Sequence, residues 1–189
     1  MLSSMPGTRT ATRTLTTTEA AVLALLAIEG ENSGYDLIKY VQKAIGYVWA
    51  PARSQLYSLL PRLVKDGYAR SRAVAQSDRP DKTLYKITRE GRGALNGWLT
   101  HVDPTDRAAF QLRLFVGALT DDDVLVSHVE AFRSDTAERL AEYRGIEPTN
   151  SRSGPDFYHY LLLRRGIQQA ELDLEWADWV LRALRRPHP

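Results

Sequence analysis

The chain has 189 residues, of which 43% are hydrophobic and 25% are charged, a composition typical of folded globular proteins. It contains no cysteine, which excludes disulfides, thiolate nucleophiles and cysteine-ligated metal centres. The four histidines, His101, His128, His159 and His188, are widely separated and lack metal-ligand spacing, so we expect neither a metal nor a cofactor.

The net charge of +2 hides an uneven distribution along the chain. Residues 1–100 hold 14 Lys and Arg against 8 Asp and Glu, a balance of +6, whereas residues 101–189 hold 11 against 15, a balance of −4. A basic module joined to an acidic one suggests that the first faces a polyanion and the second faces protein or small molecules.

The amino terminus shows no targeting pattern. Residues 1–15 are rich in Ser, Thr and Arg and lack the apolar core of a secretion signal, so we expect a disordered tail there. No run of about 18 uncharged apolar residues is present to span a bilayer. We therefore expect a cytoplasmic protein with no membrane partner.

The first two helices are predicted from their amino-terminal caps. Thr16 and Glu19 have the spacing of a capping box and precede a segment that is apolar nearly all round. After Gly30, Ser33 is predicted to cap a second helix, with Asp36 in its first turn. The inward stripe of this second helix consists of Leu37, Ile38, Val41 and Ile45.

The third helix is predicted to hold Pro51 in its first turn, where the missing N–H of proline has no cost, and it is amphipathic. Its apolar side holds Leu56, Leu59, Leu60 and Leu63, and its polar side holds Ser54, Gln55, Ser58, Arg62 and Lys65. Pro61 lies within this helix, where proline removes a backbone hydrogen bond. We expect a kink or a shortened hydrogen-bond ladder there.

A change of period from 3.6 to 2 after Gly67 predicts a hairpin with strands over 68–75 and 82–87 and a loop between them. Its cations are Arg70 and Arg72 on one face, Lys82 and Lys86 on another with Leu84, and Arg79 in the loop. Tyr85 and Ile87 are predicted to point inward. Thr88 then caps a fourth helix that buries Leu95, Trp98 and Leu99.

Three helices followed by a hairpin within roughly 70 residues is the order of a winged helix-turn-helix domain, here residues 16–100. The third helix of such a domain is placed to enter the major groove, while cations of the hairpin, or wing, neutralise phosphates. The predicted DNA-contact residues are Ser33, Tyr35, Ser54, Gln55, Tyr57, Ser58, Arg62, Arg70, Arg72, Arg79 and Lys82. The alternative is a small helical domain with ordinary solvated charges.

The second half is predicted to be helical. Asp106 caps a fifth helix that contains Phe110 and Phe115, a sixth helix starts at Thr120, and residues 145–155 form a polar loop. The last helix, about residues 156–184, carries apolar residues spaced alternately by 3 and 4: Tyr160, Leu163, Ile167, Ala170, Leu174, Ala177, Leu181 and Leu184.

A heptad seam of this length requires a partner helix, and a second stripe at Leu172, Trp176, Trp179 and Val180 widens the apolar surface. We therefore predict an antiparallel helical dimerisation domain over 106–186 in a homodimer. The predicted dimerisation residues are Tyr160, Leu163, Ile167, Leu174 and Leu181. The alternative is that the seam packs on the sixth helix of the same chain.

With these residues in place, the first hundred resemble the PadR family of transcription regulators, and the last eighty resemble the helical extension of one branch of it. The motifs that carry the resemblance are Ser33–Leu37, Trp49, Ser54–Tyr57, Arg62–Leu63, Arg79–Pro80, Tyr85 with Ile87–Thr88, Gly91, Trp98–Leu99 and Leu161–Glu175. One departure is that Ser58 follows Tyr57, where many members have proline. The base contacts therefore need not match those of the common pattern.

The resemblance implies a dimeric winged-helix protein that binds inverted-repeat operators in double-stranded DNA and usually represses transcription. Some members are released by phenolic acids or planar aromatic drugs, which implies a small aromatic effector as a further partner. Trp98 matches a tryptophan that lines a cavity between protomers in such members, and Phe110 and Phe115 would extend that cavity. The alternative role for Trp98 is packing at an interface.

A sequence-specific DNA-binding repressor is thus the leading hypothesis for function. The alternative is a helical adaptor that uses a winged-helix domain for protein contact without binding DNA. The sequence contains no Gly-rich phosphate loop, no G-x-S-x-G nucleophile elbow and no paired acid and histidine, so we expect no enzyme activity.

Overall fold

The computed structural model describes residues 14–45, 51–75, 81–149, 153–154 and 156–186. The chain divides into two compact units between Trp98 and Leu99. The described residues are mainly helical with a small antiparallel sheet, which confirms the predicted fold class. In chain order the elements are α1 (Thr17–Ile28), β1 (Asn32–Ser33), α2 (Gly34–Tyr40), a π-helical turn (Val41–Ile45), α3 (Arg53–Lys65), β2 (Ala69–Val74), β3 (Lys82–Ile87), α4 (Arg89–Thr100), α5 (Arg107–Phe115), a 3₁₀ turn (Gly117–Leu119), α6 (Asp122–Ile146), a 3₁₀ turn (Glu147–Thr149) and α7 (Asp156–Leu184).

The residue that immediately precedes the cap of α1 packs into the core of its unit. Most of the predicted amino-terminal tail, residues 1–13, lies outside the described residues. Leu15, which was predicted to belong to that tail, is buried with 4% of its surface exposed. Leu15 therefore belongs to the core of the amino-terminal unit rather than to a solvated tail.

The amino terminus of α1 is closed by the predicted capping box. The Thr16 hydroxyl accepts a hydrogen bond from the Glu19 backbone N–H at 3.3 Å, and the Glu19 carboxylate accepts one from the Thr16 N–H at 2.9 Å. All residues from Glu19 to Leu26 are buried. Helix α1 therefore lies within the core of its unit, as its apolar composition predicts.

Helix α3 presents opposite sides to the core and to solvent. Its four leucines, Leu56, Leu59, Leu60 and Leu63, are buried as predicted. The helix continues through Pro61, whose ring is exposed. Because the leucines pack on the other side, the turn that contains Pro61 is held against the core despite its missing N–H.

In the described part of the chain the sheet has three strands, ordered β1-β3-β2 and paired antiparallel. The hairpin strands are confirmed, whereas β1 was not predicted, because two residues are too few to show a period. The register places Arg70 opposite Lys86 and Arg72 opposite Leu84. Directly opposed residues lie on the same face of a sheet, so the prediction of separate faces for the two cation pairs is wrong.

Helix α4 approaches the hairpin closely at Gly91. The Thr88 hydroxyl caps the helix by accepting a hydrogen bond from the Gly91 N–H at 2.9 Å. A Cβ at position 91 would lie 2.1 Å from the backbone oxygen of Tyr68. Glycine is therefore required for this contact. The predicted buried residues of α4, Leu95, Trp98 and Leu99, are all buried.

The carboxyl-terminal unit is built on the pairing of α6 with α7. Ion pairs from Arg144 to Glu171 and from Arg185 to Glu130 show that the two helices run antiparallel. Helix α6 extends to Ile146 and continues as a 3₁₀ turn, so the loop predicted from residue 145 starts too early. No helix among the described residues is long and apolar enough to cross a bilayer.

The heptad seam of α7 packs inside the chain. Ile167 and Ala170 are buried against Leu140, with Leu163, Leu174 and Tyr143 beside them. Further along, Ala177 and Leu181 are buried with Val129, Phe132 and Phe110. Four of the five predicted dimerisation residues thus belong to clusters that α7 forms with α6 or α5, and Tyr160 is half-buried. This matches the alternative stated above, in which the seam meets the sixth helix of the same chain.

Candidate nucleic-acid interface

The outer face of α3 is a continuous polar surface. Its exposed side chains are Arg53, Ser54, Gln55, Tyr57, Ser58, Pro61, Arg62 and Lys65. The Ser58 hydroxyl donates to the Gln55 backbone oxygen at 3.0 Å, which leaves its lone pairs to accept hydrogen bonds from outside. Arg53 was not among the predicted contacts, and at 100° per residue it falls beside the apolar side of the helix.

Arg62 is held by a buried acid. Glu19 is 0% exposed, and its carboxylate accepts a hydrogen bond from the Arg62 guanidinium at 2.6 Å. Because an isolated buried carboxylate is costly, Arg62 neutralises Glu19 and ties α3 to the start of α1. The Arg62 side chain is still about half exposed, so its predicted contact with base edges stays a prediction. An acid within an apolar helix was the sequence signal for this partner.

The wing carries four cations on one face, Arg70, Arg72, Lys82 and Lys86. Two of them are paired with acids of the same unit. The Arg72 Nε lies 3.0 Å from Glu31 Oε1, and the Lys82 Nζ lies 2.7 Å from Asp36 Oδ2. Arg70 and Lys86 are exposed and make no such ion pair within the described ranges.

These ion pairs keep the acids charged. The hydrogen bond from Arg72 holds the pKa of Glu31 below its usual value. The hydrogen bonds from Lys82 and then from Ser33 lower the pKa of Asp36 in the same way. At neutral pH both carboxylates are therefore ionised, and each offsets the charge of one wing cation.

A cleft of about 750 Å³ is lined by residues from the start of α2, from α3 and from β3. Tyr35 and Tyr57 line it and are exposed, and the Lys39 Nζ lies 4.7 Å from the centre of the Tyr35 ring. Ser33 is only 5% exposed, because its hydroxyl caps α2 and donates to Asp36 at 2.7 Å. Of the residues predicted here, the two tyrosines are accessible, whereas Ser33 positions Asp36.

The remaining predicted site residues are either buried, half-buried or outside the described residues. Arg79 and the motif residue Trp49 lie outside the described residues. Trp98 is buried in the amino-terminal unit. In the carboxyl-terminal unit, Phe110 is buried and stacks on Phe132 with ring centres 4.5 Å apart, and Phe115 is half-buried. Among the described residues, no group of three or more His, Asp and Glu could hold a metal ion.

The three helices, the short strand and the cation-bearing hairpin define a winged helix-turn-helix domain. Residues 22–97 match the model of the transcriptional regulator PadR-like family, and residues 107–185 match that of the virulence activator alpha C-terminal region. The chain is 30% identical over 182 residues to a probable transcriptional regulator of Mycobacterium tuberculosis, covering 87% of this chain and 96% of that protein.

It is also 28% identical over 172 residues to the negative transcriptional regulator PadR of Bacillus subtilis, covering 85% of this chain and 93% of that protein. The crystal structure of Bacillus subtilis PadR with operator DNA is 26% identical, with a TM-score of 0.46, covering 89% of this chain and 99% of that one. The chain belongs to the PadR-like family of transcriptional regulators, as its motifs indicated.

Proposed function

We propose that the protein is a sequence-specific repressor that binds an inverted-repeat operator as a homodimer in the cytoplasm and performs no catalysis. The observation that carries this proposal is the combination, in one compact unit, of the polar face of α3 with the cationic face of the wing. A related regulator is described as negative, which supports repression.

The polar face of α3 and the cationic face of the wing would have different roles in DNA binding. Side chains on α3, chiefly Ser54, Gln55 and Ser58, approach base edges in the major groove and supply sequence discrimination. Wing cations contact phosphates and supply affinity that depends on salt. Arg70 and Lys86 meet phosphate directly, whereas Arg72 and Lys82 must first exchange a carboxylate for a phosphate. The paired cations therefore contribute less affinity than their number suggests.

The dimer would form through the outer stripe of α7, defined as Tyr158, Leu161, Leu172, Trp176 and Trp179. All five side chains are exposed, and Trp179 is 60% exposed. By helical spacing they lie on the side of α7 away from the seam that packs on α6. Trp176 is at the edge of this side, because its ring also meets the rings of Phe110 and Phe132 edge-on, with centres 5.9 and 6.0 Å away. At 1.5 Å per residue the stripe is roughly 30 Å long, enough to pair with the same stripe of a second copy. Burial of these side chains removes apolar surface from water in both protomers.

The proposal includes release by a small aromatic effector. Its support is the match of Trp98 to an effector-lining position of the family. Phe110 is already packed in the core of its unit, so any pocket that includes it requires the ring to move or to expose an edge.

Selection of bound sequences from random duplex DNA tests the function. The purified full-length protein should enrich an inverted repeat with half-sites one helical turn, about 34–36 Å, apart. Repeating the selection with phenolic acids tests effector release. A protein that sediments as a 21.3 kDa monomer and binds no duplex in dilute salt would instead support the adaptor alternative.

A further inference from the structure

Three arginine side chains converge on a small pocket in the carboxyl-terminal unit. The pocket has a volume of about 250 Å³ and lies where α5, α6 and α7 meet. Its lining includes Arg107 from α5, Arg139 and Tyr143 from α6, and Arg165, Gly166 and Gln169 from α7. This concentration of positive charge stands out because residues 101–189 have a charge balance of −4.

Two of the arginines are fixed in place by neighbours that do not line the pocket. The Arg107 Nη1 lies 3.2 Å from Asp173, and its guanidinium lies 5.7 Å from the centre of the Phe132 ring. The Arg139 Nη1 lies 2.8 Å from Asp135. A guanidinium has five N–H donors, so each group keeps donors for a ligand after these contacts are made. Their orientation is therefore set before any ligand arrives.

The third arginine and the pocket wall complete the arrangement. Arg165 is exposed and has no carboxylate partner among residues that the structure describes. The Tyr143 ring lies against the backbone of α7 at Gly166, where a Cβ would approach the ring to 3.0 Å. Gly166 thus allows the ring to form a flat wall. The Gln169 amide is held by its hydrogen bond to Asp173 at 2.8 Å.

From this geometry we propose that the pocket binds a small ligand bearing an oxyanion, either a carboxylate on a single ring or a phosphate group. Guanidinium groups bind the oxygens of carboxylate and phosphate through paired N–H donors. The volume is below the roughly 300–1,000 Å³ of sites for drug-sized ligands, so the occupant is a single ring or a single phosphate group. The site lies wholly in the carboxyl-terminal unit. A ring carboxylate as its ligand rests on the effector release included in the proposed function, whereas a phosphate ligand goes beyond that function.

Binding is tested with the purified full-length protein at constant ionic strength. Sodium benzoate, sodium phosphate and the neutral analogue benzamide are titrated separately, with calorimetry and thermal unfolding as readouts. One of the two anions should bind saturably, and benzamide should not. A ligand that bridges three helices should raise the melting temperature by roughly 5 °C at a concentration 100-fold above its Kd.

The decisive variant is Arg165→Gln, because this exposed side chain makes no ion pair with the residues that the structure describes. It should weaken anion binding about tenfold. Because Arg165 lies between Leu161 and Leu172 on the outer-stripe side of α7, sedimentation checks that the variant has the oligomeric state of the unmodified protein. Arg182→Gln is the matched control, since Arg182 is exposed on the same helix but does not line the pocket. Gly166→Ala should also weaken binding by displacing Tyr143.

Saturable binding of benzoate alone would identify a ring carboxylate as the ligand class, and binding of phosphate alone would identify a phosphate compound. The proposal is overturned if neither anion saturates, or if Arg165→Gln and Arg182→Gln bind with the affinity of the unmodified protein. Because DNA is absent from the measurement, failure here leaves the proposed DNA-binding function standing.

Discussion

The two units of the protein use charged side chains in different ways. In the amino-terminal unit, Glu31 and Asp36 pair with cations of the surface proposed to bind DNA, so these acids compete with phosphate. In the carboxyl-terminal unit, ion pairs such as Arg133–Asp178 and Arg144–Glu171 cross between α6 and α7, while the outer stripe of α7 is apolar. The comparison teaches that the position of a charge, rather than the charge balance of a unit, indicates its role.

The largest expected effect is on stability, at the buried ion pair of α1 and α3. Arg62→Gln removes a charge that neutralises the buried Glu19 carboxylate, and we expect a loss of about 3 kcal/mol in the free energy of unfolding. Chemical denaturation measures this. Lys65→Gln on the same exposed face is the control and should cost less than about 0.5 kcal/mol. Equal losses in the two variants would remove the structural role assigned to Arg62.

A charged residue in the outer stripe of α7 tests the dimer interface proposed for the carboxyl-terminal unit. Trp179→Asp places a charge where the second copy is proposed to pack, and we expect the dimer to weaken about 100-fold. Sedimentation across a concentration series measures the change. Ile146→Asp, at an exposed apolar residue that ends α6, should leave the dimer intact. An unchanged dimer in Trp179→Asp would place the interface elsewhere.

Replacing the wing cations that have no ion pair among the described residues tests whether the wing of the amino-terminal unit contacts DNA. Replacing both Arg70 and Lys86 with Gln should weaken binding to any duplex about 10- to 100-fold and reduce the slope of log affinity against log salt by about 2. Fluorescence anisotropy with labelled DNA measures both quantities. The matched control is Arg89→Gln and Arg92→Gln, on the exposed side of α4. An unaltered salt slope in the wing variant would show that this face does not meet DNA.

We expect low pH to reduce the stability of the carboxyl-terminal unit because His128 becomes protonated. This side chain is buried, and its Nε2 lies 2.6 Å from the Leu99 backbone oxygen. Burial lowers the pKa of His128 below its usual value of 6.5, and the charge of Arg113 lowers it further. The unfolded chain therefore binds a proton first as the pH falls, so the stability that His128 contributes is present above about pH 6.5 and is lost below it.

The slope of this loss is at most about 1.4 kcal/mol per pH unit. His128→Gln keeps a donor for the Leu99 oxygen but cannot take up a proton. We expect it to reduce the dependence of the free energy of unfolding on pH between pH 6.5 and the lower pKa of folded His128. Denaturation at a series of pH values measures the slope. The control His159→Gln changes an exposed histidine and should keep the slope of the unmodified protein. Identical slopes in all three proteins would contradict the role given to His128.

The smallest expected effect is a gain in DNA affinity, whereas the wing variant loses affinity. Asp36→Asn removes the carboxylate that pairs with Lys82, so we expect affinity for any duplex to rise about threefold and the salt slope to steepen by less than 1. The anisotropy titration used for the wing variants detects this change. The control is Asp66→Asn at the end of α3, which removes the same charge from a different position. A fall in affinity in Asp36→Asn would mean that Asp36 positions Lys82 for DNA rather than competing with it.

Much of the candidate site was predictable because its parts are local. Periodicity separated the buried leucines of α3 from its exposed face, and strand alternation identified the cations of the wing. The partners of those cations were not predictable. Arg62 meets an acid 43 residues away, and Arg72 meets one 41 residues away. No short-range pattern encodes pairs at that separation, and each acid had a plausible role as a helix cap or a solvated loop charge.

By itself the sequence determined the helix starts at Thr16, Ser33 and Asp106, the hairpin, and membership of the PadR-like family. These features depend on groups within about four residues of one another, or on short motifs. Only the tertiary structure decided the register that gathers the wing cations on one face, and which apolar stripe of α7 packs on α6. Both stripes are apolar at helical spacing, so their roles differ only once α6 occupies one of them.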